Sequence, residues 1–263
     1  MTQDSLSRRD LNVLEKMKDP EANPMTAVVM DTSLPKDPNV ADASVYERVS
    51  KKERDIVVAI QQLEMELAGL KPTTSTEPTD DYRRYIHELG DLILANPRYA
   101  SARNNRAQAL RRLYGDTMVI PGQPDPKALL RDADKDEISQ AALTVLSDLD
   151  EAISLLTPRN LFAPISPVAS RTLSQAHTQR AAIYYMTSKS ILSDATISLG
   201  GRREEKWSKH DFEGAASRDF ASGGRYGNEI AKGLAVSTNP TAKLCGQIVR
   251  EAMKKEYGPA FAQ

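Results

Sequence analysis

The sequence predicts an all-α fold, an antiparallel stack of helical hairpins. Three observations lead there. Apolar residues recur at spacings of three and four from Val45 onward. Breaks at Gly69, Asn96-Pro97, Gly115, Thr157-Pro158, Gly223-Gly224 and Asn239-Pro240 cut that pattern into helix-length segments. No run alternates as a half-buried strand would, and helices joined in pairs by turns imply hairpins stacked side by side.

Taken in order, residues 1–43 form an N-terminal arm: a short helix from Ser7 to Met17, then a stretch with Pro20, Pro24, Pro35 and Pro38 expected to be extended or partly disordered. Its apolar patch Ala27-Val28-Val29-Met30 is expected to dock on the helical body. Residues 44–223 form the repeat domain. Its first helix carries Val45, Val49, Ile56, Ala59, Ile60, Leu63, Leu67 and Leu70 as an apolar stripe. Further helices are expected over about 80–95, 99–114, 137–156, 172–189 and 207–222. Polar insertions near 117–136 and 188–206 interrupt them, and Gly223-Gly224 reads as a C-terminal cap. Residues 224–263 supply two more helices, about 226–237 and 241–257, that close the open end of the stack. The last has the apolar face Leu244, Ile248, Val249, Ala252 and Met253.

Composition narrows the function classes. The chain has 263 residues, 40% hydrophobic and 27% charged, with a net charge of -1. That suits a soluble globular protein and lacks the basic field that nucleic acid requires. The N-terminus carries no apolar signal core, and no stretch approaches membrane-span length. A soluble protein of the cytosol or nucleus is expected, with neither nucleic acid nor membrane as partner. The single cysteine, Cys245, excludes an internal disulfide, and its apolar neighbours read as those of a buried thiol.

The helices repeat. Glu88-Leu89-Gly90-Asp91-Leu92-Ile93, Asp148-Leu149-Asp150-Glu151-Ala152-Ile153 and Asp211-Phe212-Glu213-Gly214-Ala215-Ala216 align. So do Asn105-Arg106-Ala107-Gln108-Ala109-Leu110 and Gln179-Arg180-Ala181-Ala182-Ile183-Tyr184, and the two sets alternate. The pattern is a helix–turn–helix unit repeated about three times. Ala107, Ala181, Ala152 and Ala215 are small where helices must cross closely, while Leu149 and Phe212 fill the space beside them. Ala107 and Ala181 stand about two repeat lengths apart, so the insertions stretch the period.

The run Tyr99-Ala-Ser-Ala-Arg-Asn-Asn-Arg-Ala-Gln-Ala-Leu-Arg-Arg112 resembles a motif of the tetratricopeptide repeat (TPR) protein 36 family. Asp148-Leu-Asp-Glu-Ala-Ile, Gln175-Ala-His-Thr-Gln-Arg-Ala, Asp211-Phe-Glu-Gly-Ala-Ala and Asn239-Pro-Thr-Ala-Lys-Leu-Cys resemble others in the same order. The resemblance runs from about Val45 to the C-terminus, and the insertions look longer than is typical. It implies a TPR-type stack without an enzyme domain, associated with Hsp70-type chaperones and with tyrosine metabolism.

Some TPR domains grip a chaperone's terminal carboxylate with Lys, Asn and Arg side chains. Here Asn105 holds the clamp-asparagine position, Gln175 and Gln179 stand where cations are needed, and the first-repeat region around Ala59 and Leu63 is apolar. A full clamp is therefore not expected. The concave face is expected to show Ser101, Asn104, Asn105, Gln108 and Arg111, then Gln175, Thr178, Gln179 and Tyr185. These amides suit a peptide or protein segment; the plain alternative is that they are solvated helix positions.

Other candidates carry less. Asp132-x-Asp134-x-Asp136 opens like a calcium loop, but Glu137 stands in the glycine position and Leu143 in that of the closing glutamate. His87, His177 and His210 lack metal-ligand spacing. Gly223-Gly224-Arg225-Tyr226-Gly227 follows a helix and no strand, so it is no phosphate loop. Trp207 reads as a plug at the third-repeat junction. No nucleophile or acid–base set stands out, and no cofactor or metal is implied. Two readings remain: a groove-binding adaptor, or a structural subunit that binds through its arm, insertions or C-terminal helices.

Overall fold

A computed structural model describes residues 28–120, 122–123, 125–160, 162–191, 197 and 199–257. The short helix expected over Ser7–Met17 lies outside the described residues. Eight α-helices follow one another among those described: α1 (Ala43–Leu67), α2 (Pro78–Ala95), α3 (Ala100–Tyr114), α4 (Lys135–Leu156), α5 (Pro167–Ser190), α6 (Lys209–Arg225), α7 (Glu229–Thr238) and α8 (Pro240–Tyr257). A 3-10 turn, Arg203–Lys206, precedes α6. Each helix packs on its neighbours in sequence, and α3 also touches α5, as in a TPR-like stack.

Local chemistry sets the helix ends. Asp42 caps α1 by accepting from the Ser44 and Val45 amides. Asp80 and Asp81 sit in the first turn of α2, where carboxylates oppose the positive end of the helix. Ser208 and Asp211 form a capping box at α6. Gly115 ends α3 at φ +86, and a Cβ there would lie 2.3 Å from that of Asp125. Only glycine satisfies both demands.

The crossing residues pack as expected. Ala107, Ala152, Ala181, Leu149 and Phe212 are fully buried in the main core, with Ala215 nearly so. Trp207 stands edge-on to Tyr184 and Phe212, each 5.2 Å between centroids, and plugs that junction.

Several expectations are corrected. α5 begins at Pro167, five residues early, because Ser166 caps it and proline suits the first helical position. Gly223 and Gly224 lie inside α6 and do not cap it. A Cβ on Gly223 would sit 2.5 Å from Thr178 Oγ1, and one on Gly224 2.8 Å from the Lys232 backbone, so both glycines admit neighbouring helices. The first insertion is not wholly polar: Met118, Val119 and Ile120 are buried, and Leu129 and Leu130 donate backbone hydrogen bonds to Arg112 and Leu113. In the second, Leu199 and Glu204 are buried, Glu204 between Tyr184 Oη and Arg202. Cys245 is exposed. So are Leu244, Ile248, Val249 and Met253, because α8 packs on α6 and α7 and leaves its apolar stripe uncovered by the described residues.

The described part of the arm is fastened to the stack. Val28 packs on the main core, and Met30 bridges in parallel to Ile165. The Lys36 carbonyl accepts from Ser166 Oγ at 3.1 Å. Asp37 is buried and accepts from the first amide of α3 at 3.4 Å. Asn39 donates to the Leu155 carbonyl at 2.9 Å, and Val40 joins the cluster of Val49, Leu92 and Tyr99.

Candidate functional site: a concave groove on the inner helices

Helices α1, α3 and α5 form the inner row, and a cleft runs across them in two lobes. The lobe between α1 and α3 holds about 630 Å³ and is walled by Val57, Ile60, Met65, Tyr82 and Ala109. The lobe toward α5 holds about 460 Å³ and has the charged residues Arg111, Asp116, Asp125 and Lys127 among its lining. Gln108, Arg112 and Gln175 line both, which makes the cleft continuous.

The expected site residues divide sharply. Gln108 and Gln175 are exposed on the cleft wall. Asn104 is buried; its Nδ2 donates to Gln175 Oε1 at 3.3 Å. Its Oδ1 accepts from Gln179 Nε2 at 2.8 Å. Gln179 in turn accepts from Arg111 Nη1 at 3.1 Å. Arg111 is held bidentately by Asp116, at 2.7 and 3.0 Å. Thr178 donates to the Ser174 carbonyl and accepts from Asn228 at 3.2 Å. This network stitches α3 to α5, so most of the amides expected to meet a ligand meet one another. Tyr185 is half-buried against the main core under Lys189 and lies outside the cleft lining.

At the groove's N-terminal end, Ser101 lies beside Lys36, Asp37 and Tyr46 under the arm. Asn105 donates to the buried Glu53 at 2.8 Å, and Tyr99 Oη donates to the same carboxylate. Burial pushes the Glu53 carboxyl up, against hydrogen bonds from Tyr99, Ser101 and Asn105, and nearby Asp37 pushes the same way. The clamp-position asparagine is thus occupied.

Both arginines of the cleft, Arg111 and Arg112, are committed. Arg112 bonds Glu64 at 2.9 Å and the Lys127 carbonyl at 2.7 Å. Behind the groove, Arg106 grips buried Asp148 at 2.7 and 2.8 Å. Arg180 likewise grips Asp219, at 2.7 Å through both nitrogens. Each motif arginine is therefore fixed to an aspartate of the following helix. Burial pushes the Asp219 carboxyl up, but the bonds from Arg180 and His177 win and hold it below the usual range.

Sequence reasoning missed the α1 wall. Leu63 turns inward to Tyr82 and Leu113, and the groove-facing positions are Val57, Ile60, Gln61 and Glu64. The available signal was Gln61, polar at the border of the apolar stripe. It also missed Asp125 and Lys127 from the insertion, which fold back against α3 through the Asp116 amide bond to Asp125 Oδ2. Among the described residues, no helix is long and apolar enough to cross a membrane, and no group of His, Cys, Asp and Glu could hold a metal ion.

No protein-family profile matches the chain, and no solved structure does. Among curated proteins, the L-tyrosine degradation gene cluster protein hmgX of Aspergillus fumigatus is 35% identical over 254 residues, covering 96% of this chain and 93% of its own. Tetratricopeptide repeat protein 36 of Xenopus tropicalis is 28% identical over 199 residues, 76% of this chain and 67% of that protein. Its counterpart from Danio rerio is 27% identical over 203 residues, 77% and 75%. With its helical stack and a likeness to hmgX that spans nearly the whole of both chains, the protein belongs to the tetratricopeptide repeat protein 36-like family that includes hmgX.

Proposed function

We propose that the protein is a non-catalytic adaptor that holds a segment of a partner protein in its concave groove, and that the partner acts in L-tyrosine breakdown. The continuous cleft across α1, α3 and α5 carries the first half of this reading. The near full-length likeness to hmgX, a protein named for an L-tyrosine degradation gene cluster, supports the second. The perturbed tyrosines are spent on carboxylates: Tyr99 on Glu53, Tyr82 on Glu64, Tyr184 on Glu204. That pattern suits architecture better than acid–base work. An Hsp70-type tail needs several free cations, and with Arg111 and Arg112 already paired to acidic groups only Lys127 of the cleft's basic residues is unpaired among the described residues, so such a tail is not the partner this groove suits.

The test is capture from cells fed L-tyrosine, comparing the protein with Ile60→Glu and Gln108→Arg, both checked by circular dichroism. The reading expects enzymes of tyrosine breakdown with the unaltered chain and their loss with either folded variant. Persistence on both variants overturns it. One observation favours a second reading: the uncovered stripe Leu244, Ile248, Val249 and Met253 on α8 suits a structural subunit docking by its C-terminal helices. Loss of partners on Leu244→Ser with Ile248→Ser, and not on the groove variants, would select that reading.

A further inference from the structure

Each inner helix places one exposed glutamine on the lobe between α1 and α3: Gln61 from α1, Gln108 from α3 and Gln175 from α5. No side-chain hydrogen bond engages Gln61 or Gln108 among the described residues, and Gln175 uses only its carbonyl oxygen, which accepts from Asn104. Three amides with spare donors thus cross the groove from helix to helix, beside the apolar wall of Val57, Ile60 and Met65.

An amide side chain offers a donor and an acceptor together, which matches the backbone N–H and C=O of an extended peptide whatever its sequence. The wall beside it takes an aliphatic or aromatic side chain, which supplies selection. Charge narrows the occupant further. The charged residues of this lobe, Arg112 and Glu64, face each other, so a charged residue would have to break that pair to gain a partner.

We propose that Gln61, Gln108 and Gln175 form a backbone-reading ladder. It holds an extended, internal, uncharged segment of a partner across α1, α3 and α5, with one large apolar side chain set against Val57, Ile60 and Met65. This rests on the groove reading above and adds the chemistry of the ligand: a free terminal carboxylate is not required.

The probe is a library of random twelve-residue peptides, displayed once between two flanking domains and once with free C-termini, and selected on the full chain. The expected result is enrichment in both formats of a single Leu, Ile, Met, Phe or Trp within uncharged flanks. Gln61→Ala with Gln108→Ala and Gln175→Ala should weaken the selected peptides about tenfold or more. Ile60→Glu should abolish them. All four positions lie at the surface of the cleft, and circular dichroism with a thermal melt confirms the fold. Peptides that compete for the groove but ignore the triple variant overturn the ladder and leave the groove reading standing. Enrichment of acidic C-termini, or of none at all, overturns the ladder directly. Persistence of native partners on Ile60→Glu takes the groove reading with it. Binding of a synthetic peptide of residues 1–27 in preference to the library would assign the groove to the chain's own N-terminus and also overturn the proposal.

Discussion

The two sides of the groove are built from similar residues and use them in opposite ways. Between α3 and α5, Asn104, Gln175, Gln179 and Arg111 bond one another and Asp116, and Asn104 and Gln179 are buried. Between α1 and α3, Gln61 and Gln108 stand in the open beside half-buried aliphatic side chains. The difference lies in what crosses each helix. α5 approaches α3 closely enough to take up Asn104, whereas α1 claims Asn105 through Glu53 but beside Gln108 presents Val57 and Ile60 and leaves that amide spare. A polar residue on an inner helix is available to a ligand only where the neighbouring helix does not claim it.

That contrast can be broken from the locked side first. Asp148→Ala leaves Arg103 and Arg106 facing α4 without their carboxylate, and should cost about 3 kcal/mol in urea unfolding. Equal stability would mean that the arginines hold α3 by packing alone. Gln179→Ala strands Asn104 and one arm of Arg111, so a loss of about 1–3 kcal/mol is expected, with the groove loosened on the α5 side. Hydrogen exchange along α3 and α5 would locate the loosening.

The pH dependence separates the arm end of the groove from the α5–α6 pair. Burial raises Glu53, and likewise Asp37 against the amides it accepts from. A raised carboxyl contributes stability that is complete below its unfolded value and fades as pH climbs through its folded value. Asp219, held low, contributes above its unfolded value and loses that contribution as pH falls through its folded one. Mild acidification from neutrality should therefore firm the arm end before the α5–α6 pair weakens. Asp37→Asn with Glu53→Gln should flatten the first limb of a plot of unfolding midpoint against pH and spare the second. The smallest effect belongs to the open side: Gln61→Ala with Gln108→Ala should move stability by no more than about 0.5 kcal/mol. A larger loss would show that these amides are structural after all.

Much of the fold was legible in the sequence. Asn96-Pro97, Thr157-Pro158 and Asn239-Pro240 stop helices α2, α4 and α7 within a residue or two. The alanines placed at crossings are where close packing demands them. The misreadings have one physical origin: a residue type can serve two purposes. Pro167 falls ahead of the helix expected from about 172 although proline also starts helices, and Gly223-Gly224 reads as a cap although glycine also admits a neighbour. The α8 stripe reads as core from its period alone, and only the packing reveals that no described residue covers it. For the site, helix periodicity put the amides on the inner face but could not tell spent from spare. That distinction depends on contacts between residues about seventy positions apart, such as Asn104 with Gln179.

The fastening of residues 28–42 bears on how the chain comes apart. A helical stack is held by nearest neighbours, so its ends fray and its units can melt one by one. Here the Lys36 carbonyl reaches Ser166 across 130 positions, and Asn39 reaches Leu155 across 116. These ties close a ring through α1 to α5. Closing so long a loop is slow, because its entropy is spent before its contacts return anything. Once closed, the ring joins the first helices to the fifth, and the stack should melt as a single cooperative unit where an untied one would unravel from its first hairpin.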